Sequence, residues 1–187
     1  MKYKPILIVG GEPNSVFTEL FFKTLKFKKF KSPIVLIYSK KMLIKQMKKL
    51  NFKKKIKILN QKNLHEQILD NKTINLINVN FNQKKAFMKI SRKSNKFIEK
   101  SFKIAFDILK QKKINKFING PISKKNFLNK KYLGITEYIS DKFSNKSSCM
   151  LIYNKNLSVC PVTTHLPIKQ VTKNINKKLI IQKINLI

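Results

Sequence analysis

Short, continuous apolar runs alternate with longer amphipathic segments through the first two thirds of the chain. The runs PILIVGG, SPIVLIYS, KIKIL and INLINVNF have the length and composition of strands that are buried on both faces of a sheet. Segments between them, such as KKMLIKQMKKLNF, carry apolar residues at helical spacing. Strands that alternate with helices predict an α/β layered fold with a mainly parallel sheet.

Two of the predicted helices have a well-defined apolar face. In EPNSVFTELFFKTLKF, Asn14 or Ser15 can cap the helix. The apolar face of that helix is predicted to consist of Val16, Leu20, Phe21 and Leu25. The segment SNKFIEKSFKIAFDILKQKK has a longer apolar stripe, formed by Phe97, Ile98, Phe102, Ala105, Phe106 and Leu109.

The last third of the chain has a different pattern. A strand in INKFINGPISKKNF is predicted to break at Gly120-Pro121, and SCMLIYN and LSVCPVT are predicted to form an antiparallel hairpin around Asn154-Lys155-Asn156. The final segment, NINKKLIIQKINLI, is predicted to be an amphipathic helix that stops without a Gly, Asn or Pro terminator. A helix that ends on two apolar residues is expected to be cut off, and a length of 187 residues suits one domain, or one domain and part of another.

The net charge is +34, from 42 Lys and Arg residues against 8 Asp and Glu residues. Such a charge is typical of proteins that bind nucleic acid. However, Arg92 is the single arginine, and the lysines are spread over the sequence instead of forming one stripe. We therefore expect no specific nucleic-acid partner, although a basic, non-enzymatic nucleic-acid-binding protein remains the alternative from another functional class.

Cys149 and Cys160 lack metal-type spacing and are expected to be small buried residues in a reducing compartment. The opening MKYKPILIVGG has too short an apolar run for a signal peptide, and no segment approaches the length of a membrane span. The sequence therefore predicts a cytoplasmic protein without a membrane partner.

With four glycines, the chain contains neither G-x-G-x-x-G nor a P-loop motif, which excludes an ordinary Rossmann NAD site. His65 is expected on a solvated helix face. His165, in SVCPVTTHLPIKQV, follows a predicted strand and is either a metal ligand or a buried core histidine. A catalytic metal usually needs about three protein ligands, and no further ligands are evident from the residues alone.

Four stretches, VTTHLPIKQV, NGPISKKNF, LGITEY and GEPNSVFTE, together resemble the family of 4-hydroxythreonine-4-phosphate dehydrogenase. The resemblance implies an isocitrate/isopropylmalate-dehydrogenase-like fold with three α/β/α layers, which binds NAD (or NADP) without the Rossmann fingerprint. It also implies a homodimer with the active site between subunits, and a divalent metal ion such as zinc, magnesium or cobalt. The implied reaction, a step of pyridoxal phosphate biosynthesis, oxidises and decarboxylates the small phosphorylated substrate 4-phosphooxy-L-threonine to 3-amino-2-oxopropyl phosphate.

The resemblance assigns roles to individual residues. His165 matches a metal-binding histidine, and Thr136 matches a substrate-binding threonine. Ile135 stands where the family has a substrate-contacting histidine, so a dehydrogenase of the same fold with a different substrate is an alternative. The resemblance also implies that residues 1–187 are the N-terminal portion of such a dehydrogenase, with one domain and the start of the second. The remaining metal and substrate ligands would lie in a second half of the protein, and we expect this chain to be catalytically inactive without it.

Overall fold

Five parallel strands form a single sheet in the computed structural model, which describes residues 3–112, 114–143 and 148–187 except for the side chain of His65. The strands lie in the order β3-β4-β2-β1-β5, and every pairing is parallel. Their bounds are β1 Ile6–Val9, β2 Ile34–Tyr38, β3 Ile56–Ile58, β4 Ile74–Asn78 and β5 Lys116–Asn119. The predicted parallel sheet is confirmed.

Helices cover both faces of this sheet. They are α1 Phe17–Phe27, α2 Lys40–Lys49 and α3 Asn95–Lys110. Phe117 of β5 contacts the ring of Phe102 in α3, with centroids 6.1 Å apart. The next residue, Ile118, lines an apolar cavity of about 260 Å³ against Phe21 of α1. Because successive strand residues point to opposite faces, α1 and α3 lie on opposite sides, and the predicted three α/β/α layers are confirmed.

The apolar stripe of α3 is confirmed with small changes. Phe97, Ile98, Phe102, Ala105 and Phe106 are buried, while Leu109 is half-buried and Ile108 is buried in its place. Aromatic contacts fix this helix to the sheet, since Phe97 packs edge-on against the ring of Tyr38 in β2 at 5.7 Å.

The predicted apolar face of α1 is partly wrong: Phe21 is buried and Leu25 half-buried, but Val16 and Leu20 are not. Val16 is 58% exposed and Leu20 is 56% exposed, whereas the helix buries Phe17, Thr18, Phe21 and Phe22. The spacing of apolar residues in α1 is compatible with more than one buried face. The contact between the rings of Phe17 and Tyr38 accompanies the face that is observed.

The predicted caps of α1 are also wrong. The residue at the cap position is Val16, which cannot accept a hydrogen bond through its side chain. The amide oxygen of Asn14 instead accepts hydrogen bonds from the backbone N–H of Met88 at 2.8 Å and from Gln83 at 2.6 Å. The Ser15 hydroxyl accepts from the Phe17 N–H at 3.3 Å but donates to the Glu12 carbonyl.

The chain divides into two compact units, Met1–Phe127 and Leu128–Ile187. The second unit contains three helices among its described residues: α4 Ile135–Phe143, α5 Ile168–Asn174 and α6 Lys177–Ile184. The sequence predicted α6, although its start is later than expected, at the Asn176 cap whose side chain accepts from the Leu179 N–H at 2.9 Å. Helices α4 and α5 were not predicted. Whether these units correspond to one domain and the start of another stays a prediction.

The predicted hairpin is reduced to one antiparallel bridge between Ile152 and Val159, closed by backbone hydrogen bonds of 2.8 and 2.9 Å. A two-stranded hairpin is stable only when other residues pack on it, and here Ile152 and Tyr153 are 60% and 73% exposed.

Cys149 and Cys160 are half-buried free thiols, so their expected burial is wrong. Within the described residues, no helix has both the length and the apolarity to cross a membrane.

Candidate functional site

A cavity of about 520 Å³ in the second unit contains the clearest concentration of polar side chains. Its walls come from α4, from α6 and from the loop that precedes α5. The residues that line it are Thr136, Glu137, Ser140, Asp141, Ser148, Met150, Pro161, Val162, Thr164 and Lys183. Hydroxyl, carboxylate and ammonium groups thus converge on a space large enough for a small polar ligand.

The first turn of α4 presents Thr136 and Glu137 to this cavity. Of the residues taken from the resemblance, Thr136 therefore lies at the wall, whereas Ile135 begins the helix and is not among the lining residues. Glu137 in the first helical turn also interacts favourably with the helix dipole.

His165 lies next to the lining residue Thr164, and its Nε2 atom is 3.5 Å from Oε1 of Glu137. The two side chains are 44% and 33% exposed, so the pair is partly open to solvent. The expectation of a histidine directly after a strand is wrong, because His165 lies six residues after the Val159 bridge in an irregular loop. Its backbone φ of +58° places it in the left-handed region.

Gly134 leaves space for the Glu137 carboxylate. A β-carbon built on Gly134 would lie 2.9 Å from Oε2 of Glu137. That oxygen is buried, and no hydrogen-bond donor reaches it within the described parts of the chain. The carboxylate is thus placed between the glycine and the imidazole of His165.

Two other charged groups shape the cavity. The Tyr132 hydroxyl donates a hydrogen bond to Asp141 and thereby lowers the pKa of that carboxyl, with the Lys142 ammonium 3.5 Å away contributing in the same direction. The Lys183 ammonium donates to the backbone carbonyl of Ser148 and brings a positive charge to the cavity wall. The cavity therefore offers both an anion-binding and a cation-binding side.

As a metal site, these residues provide part of a coordination shell. His165 and Glu137 bring one imidazole nitrogen and carboxylate oxygens to one place, which are donors that zinc, magnesium or cobalt accepts. Over residues 3–112, 114–143 and 148–187, no group of three or more His, Cys, Asp and Glu residues is arranged to hold a metal ion. The pair fits a metal that takes its other ligands from elsewhere, and the metal role of His165 stays a prediction.

Neither cysteine has the features of a nucleophile. Burial, and then the neighbouring Cys149, raises the pKa of the Cys160 thiol, which lowers its thiolate fraction at neutral pH.

The other histidine, His65, lies in the short 3₁₀ turn Leu64–Glu66. Its side chain lies outside the described residues, so its expected solvated position is not tested.

In the first unit, the loops that follow β1 and β5 meet backbone to backbone. The Glu12 N–H donates to the Pro121 carbonyl at 2.8 Å, and the Gly120 N–H donates to the Val9 carbonyl at 2.7 Å. A β-carbon on Gly120 would lie 2.3 Å from the Gly10 oxygen. These are two of the stretches that carry the resemblance, and their contact explains why glycine is required there.

Glu12 anchors the first of these loops from inside. Its carboxylate is 1% exposed and accepts hydrogen bonds from the Asn14 N–H at 3.1 Å and from the Ser94 hydroxyl at 2.6 Å. Sequence reasoning missed this role, as it missed Glu137. The available signal was that each glutamate lies in one of the stretches that carry the resemblance, GEP and GITE, and that position by itself assigns no contact.

Proteins of known function match almost the whole chain. A 4-hydroxythreonine-4-phosphate dehydrogenase of Sulfurihydrogenibium sp. (strain YO3AOP1) is 28% identical over 185 residues, which are 97% of this chain and 56% of the relative. The enzyme of the same name from Aquifex aeolicus is 29% identical over 192 residues, covering 98% of this chain and 57% of the relative. The chain therefore spans little more than half the length of these curated relatives.

Solved structures with the same fold carry the same name. A 4-hydroxythreonine-4-phosphate dehydrogenase from Burkholderia phymatum superposes with a TM-score of 0.82 at 21% identity, covering 98% of this chain and 56% of that chain. The enzyme from Klebsiella pneumoniae gives a TM-score of 0.81 at 18% identity, covering 97% and 57%. The family described as pyridoxal phosphate biosynthetic protein PdxA matches residues 29–187, well over half of the sequence. The chain therefore belongs to the PdxA family of pyridoxal phosphate biosynthetic proteins.

Proposed function

We propose that this chain supplies part of the active site of a dehydrogenase that acts on 4-phosphooxy-L-threonine. The reaction oxidises the secondary alcohol with NAD, or NADP, as hydride acceptor, and loss of carbon dioxide then gives 3-amino-2-oxopropyl phosphate. The observation that carries the proposal is the placement of Thr136, Glu137 and His165 at one polar cavity. Membership of the PdxA family supports the pathway, pyridoxal phosphate biosynthesis.

The residues at the cavity have distinct roles in this proposal. The Thr136 hydroxyl hydrogen-bonds the substrate, and the Lys183 ammonium attracts its phosphate or carboxylate end. The His165 imidazole holds a divalent metal ion, such as zinc, magnesium or cobalt. When bound, the metal stabilises negative charge on the alcohol oxygen as the carbon is oxidised.

We further propose that residues 1–187 are catalytically incomplete and correspond to the N-terminal portion of such an enzyme. One imidazole falls short of the three protein ligands that catalytic metals usually have, and the described residues contain no group of three or more suitable side chains. The missing ligands would come from additional sequence and from the second subunit of a homodimer. We propose that this enzyme acts in the cytoplasm. The coverage of 56% of a relative's length is consistent with this view.

A second candidate is a dehydrogenase of this family with a different substrate. Ile135 favours it, because an apolar side chain stands at the position of the family's substrate-contacting histidine, at the start of α4. Isoleucine can neither donate a hydrogen bond nor carry charge, so a phosphorylated substrate loses one polar contact there.

Substrate binding tests the proposal on the protein as it exists. Addition of 4-phosphooxy-L-threonine to the ¹⁵N-labelled chain should produce saturable shifts of amide signals in α4. Thr136→Ala should weaken the affinity by about tenfold, the effect of one lost hydrogen bond to a charged ligand. The matched control is Thr172→Ala, which removes an exposed hydroxyl from α5 and should change nothing.

Two outcomes would count against the proposal. Equal binding by Thr136→Ala and Thr172→Ala, or no saturable binding at all, would remove the substrate assignment. Formation of NADH by the isolated 187 residues with NAD and substrate would instead overturn the proposed incompleteness and leave the substrate assignment intact.

A further inference from the structure

We propose that Glu137 is a positioning residue for His165, and that Gly134 provides the space for it. In this arrangement the Glu137 carboxylate accepts the N–H of Nε2, which leaves Nδ1 as the nitrogen that binds the metal ion. The inference rests on the proposed metal role of His165, but its first test needs neither metal nor activity.

The contact joins two residues that are 28 positions apart in the sequence. Nε2 of His165 and Oε1 of Glu137 are 3.5 Å apart, which is within ion-pair range but longer than an ordinary hydrogen bond. Such contacts are often long in ligand-free sites and shorten when the ligand binds. Within the described residues, the imidazole is the polar partner that the carboxylate has.

Both ends of the contact are held by the backbone. Glu137 is in the first turn of α4, while the left-handed conformation of His165, φ +58°, aims its side chain from the loop before α5. A left-handed conformation is uncommon for residues other than glycine, and it is retained where the surrounding structure or the function requires it.

Gly134 is the third element of this arrangement. Its missing side chain leaves room for Oε2 of Glu137, which a β-carbon would approach to 2.9 Å. Because the approached atom is the end of a flexible side chain, an alanine at position 134 would displace the carboxylate instead of breaking the backbone. The glycine and the glutamate of the G-I-T-E stretch thus act together on a histidine in another part of the unit.

The chemical consequence concerns which nitrogen remains free. In a neutral imidazole one nitrogen carries the proton and the other binds a metal, and the hydrogen-bond partner of the first decides which is which. Metal-binding histidines nearly always donate their second N–H to a carboxylate, a carbonyl or water. Glu137 supplies such an acceptor at Nε2, which assigns the metal to Nδ1.

The chain is well suited to a direct test because it has two histidines. Long-range ¹H–¹⁵N spectra of the imidazoles, recorded near pH 8.5 where an ordinary imidazole is neutral, report the protonated nitrogen of each ring. His65→Gln assigns the signals. We expect the His165 proton on Nε2 in the wild type, and a lower Nε2–H fraction in Glu137→Ala and in Gly134→Ala.

Glu99→Gln is the matched control. Glu99 is an exposed glutamate of α3 in the first unit, and its substitution changes the net charge by the same amount as Glu137→Gln. It does not line the cavity, so the His165 tautomer should not change. Glu137→Gln keeps an oxygen acceptor and should be intermediate between the wild type and Glu137→Ala.

Titration with Zn²⁺, followed at the His165 signals, gives the second readout. The Nδ1 signal should shift while Nε2 keeps its proton, and Glu137→Ala should weaken the apparent affinity about 10- to 100-fold. Glu99→Gln should change it less than about threefold, since exposed charges are screened by salt. Circular dichroism verifies that each variant retains its helices.

The possible failures can be told apart. If the tautomer is the same in the wild type, Glu137→Ala and Gly134→Ala, or if Zn²⁺ replaces the proton on Nε2, the positioning role is wrong. If Zn²⁺ leaves His165 unaffected while the tautomer follows Glu137 as expected, the positioning role stands and the metal role in the proposed function falls.

Discussion

The Ser94 hydroxyl donates a 2.6 Å hydrogen bond to the Glu12 carboxylate across 82 residues of sequence. Glu12 is 1% exposed and has no cationic partner among its described contacts. A buried carboxylate of this kind is stable only because backbone and hydroxyl donors surround it. The loop after β1 is therefore held by polar contacts from beneath, in addition to the apolar packing of the sheet.

Replacement of Glu12 by alanine should lower the free energy of unfolding by about 2–4 kcal/mol. The change leaves the Asn14 N–H and the Ser94 hydroxyl without their charged acceptor in a buried place. In urea unfolding, this loss of stability should appear as a lower midpoint concentration of urea with an unchanged m-value. Glu19→Ala, which removes an exposed ion pair with Lys23, should cost about 0.5 kcal/mol or less, and equal effects of the two variants would contradict the prediction.

Gly120→Ala should destabilise the first unit by at least about 2 kcal/mol. The new β-carbon would lie 2.3 Å from the Gly10 backbone oxygen, so that the loops after β1 and β5 would have to separate. Gly134→Ala serves as the comparison, since its β-carbon meets only the mobile end of Glu137 and should cost below about 1 kcal/mol. Similar unfolding midpoints for both variants would show that the loops are not in close contact.

Tyr38→Phe should change how stability depends on alkaline pH. Burial, the largest cause, raises the pKa of the Tyr38 hydroxyl far above its ordinary value, although its hydrogen bond to Gln46 acts in the opposite direction. Above about pH 10 the unfolded chain releases this proton and the folded chain keeps it, so the wild type loses up to about 1.4 kcal/mol per pH unit relative to Tyr38→Phe.

Urea unfolding of both proteins at neutral and alkaline pH measures this difference. At neutral pH the variant should be less stable by about 1–2 kcal/mol, because Oε1 of Gln46 loses its buried donor. The gap should narrow as the pH rises. If the free energies of unfolding of the two proteins change in parallel with pH, Tyr38 loses its proton as readily in the folded chain as in the unfolded chain, and the prediction is wrong.

Ile135→His should raise the affinity for 4-phosphooxy-L-threonine by about tenfold if that is the substrate, through one added polar contact. The amide shifts of α4 on titration provide the measurement. Ile168→His adds the same side chain at a residue that is 88% exposed and should leave the affinity unchanged. No gain at position 135 would favour a different phosphorylated or carboxylated substrate.

Binding to duplex DNA should be weak and should disappear as salt is added. The charge of +34 comes from lysines throughout the sequence, so contacts with phosphates are non-specific and depend on counterion release. Fluorescence anisotropy with a labelled duplex should give a dissociation constant above about 1 μM at physiological salt. Nanomolar affinity under those conditions would favour the alternative of a nucleic-acid-binding protein.

The parallel sheet and α3 were predictable from residue types alone. Fully buried strands such as Ile34–Tyr38 must be apolar at every position, and a long helix packed on one side must repeat its apolar residues every three or four positions. The predicted hairpin is limited to the antiparallel Ile152–Val159 bridge, because these residues have strand propensity but remain 60% and 49% exposed within the described part of the chain. Residue type indicates which secondary structure a segment favours, and the surrounding residues decide whether that structure forms.

The candidate site divides in the same way. The sequence pattern pointed to His165, one of two histidines, and the resemblance to a known family pointed to Thr136. Neither selected Glu137, whose contact with His165 exists only once α4 and the loop before α5 are brought together. Likewise, the phase of α1 and the burial of Glu12 depend on ring packing and hydrogen bonds from distant segments. Local patterns thus determined the elements and the reactive side chains, while tertiary structure decided which of those side chains meet, since such contacts join residues that are remote along the chain.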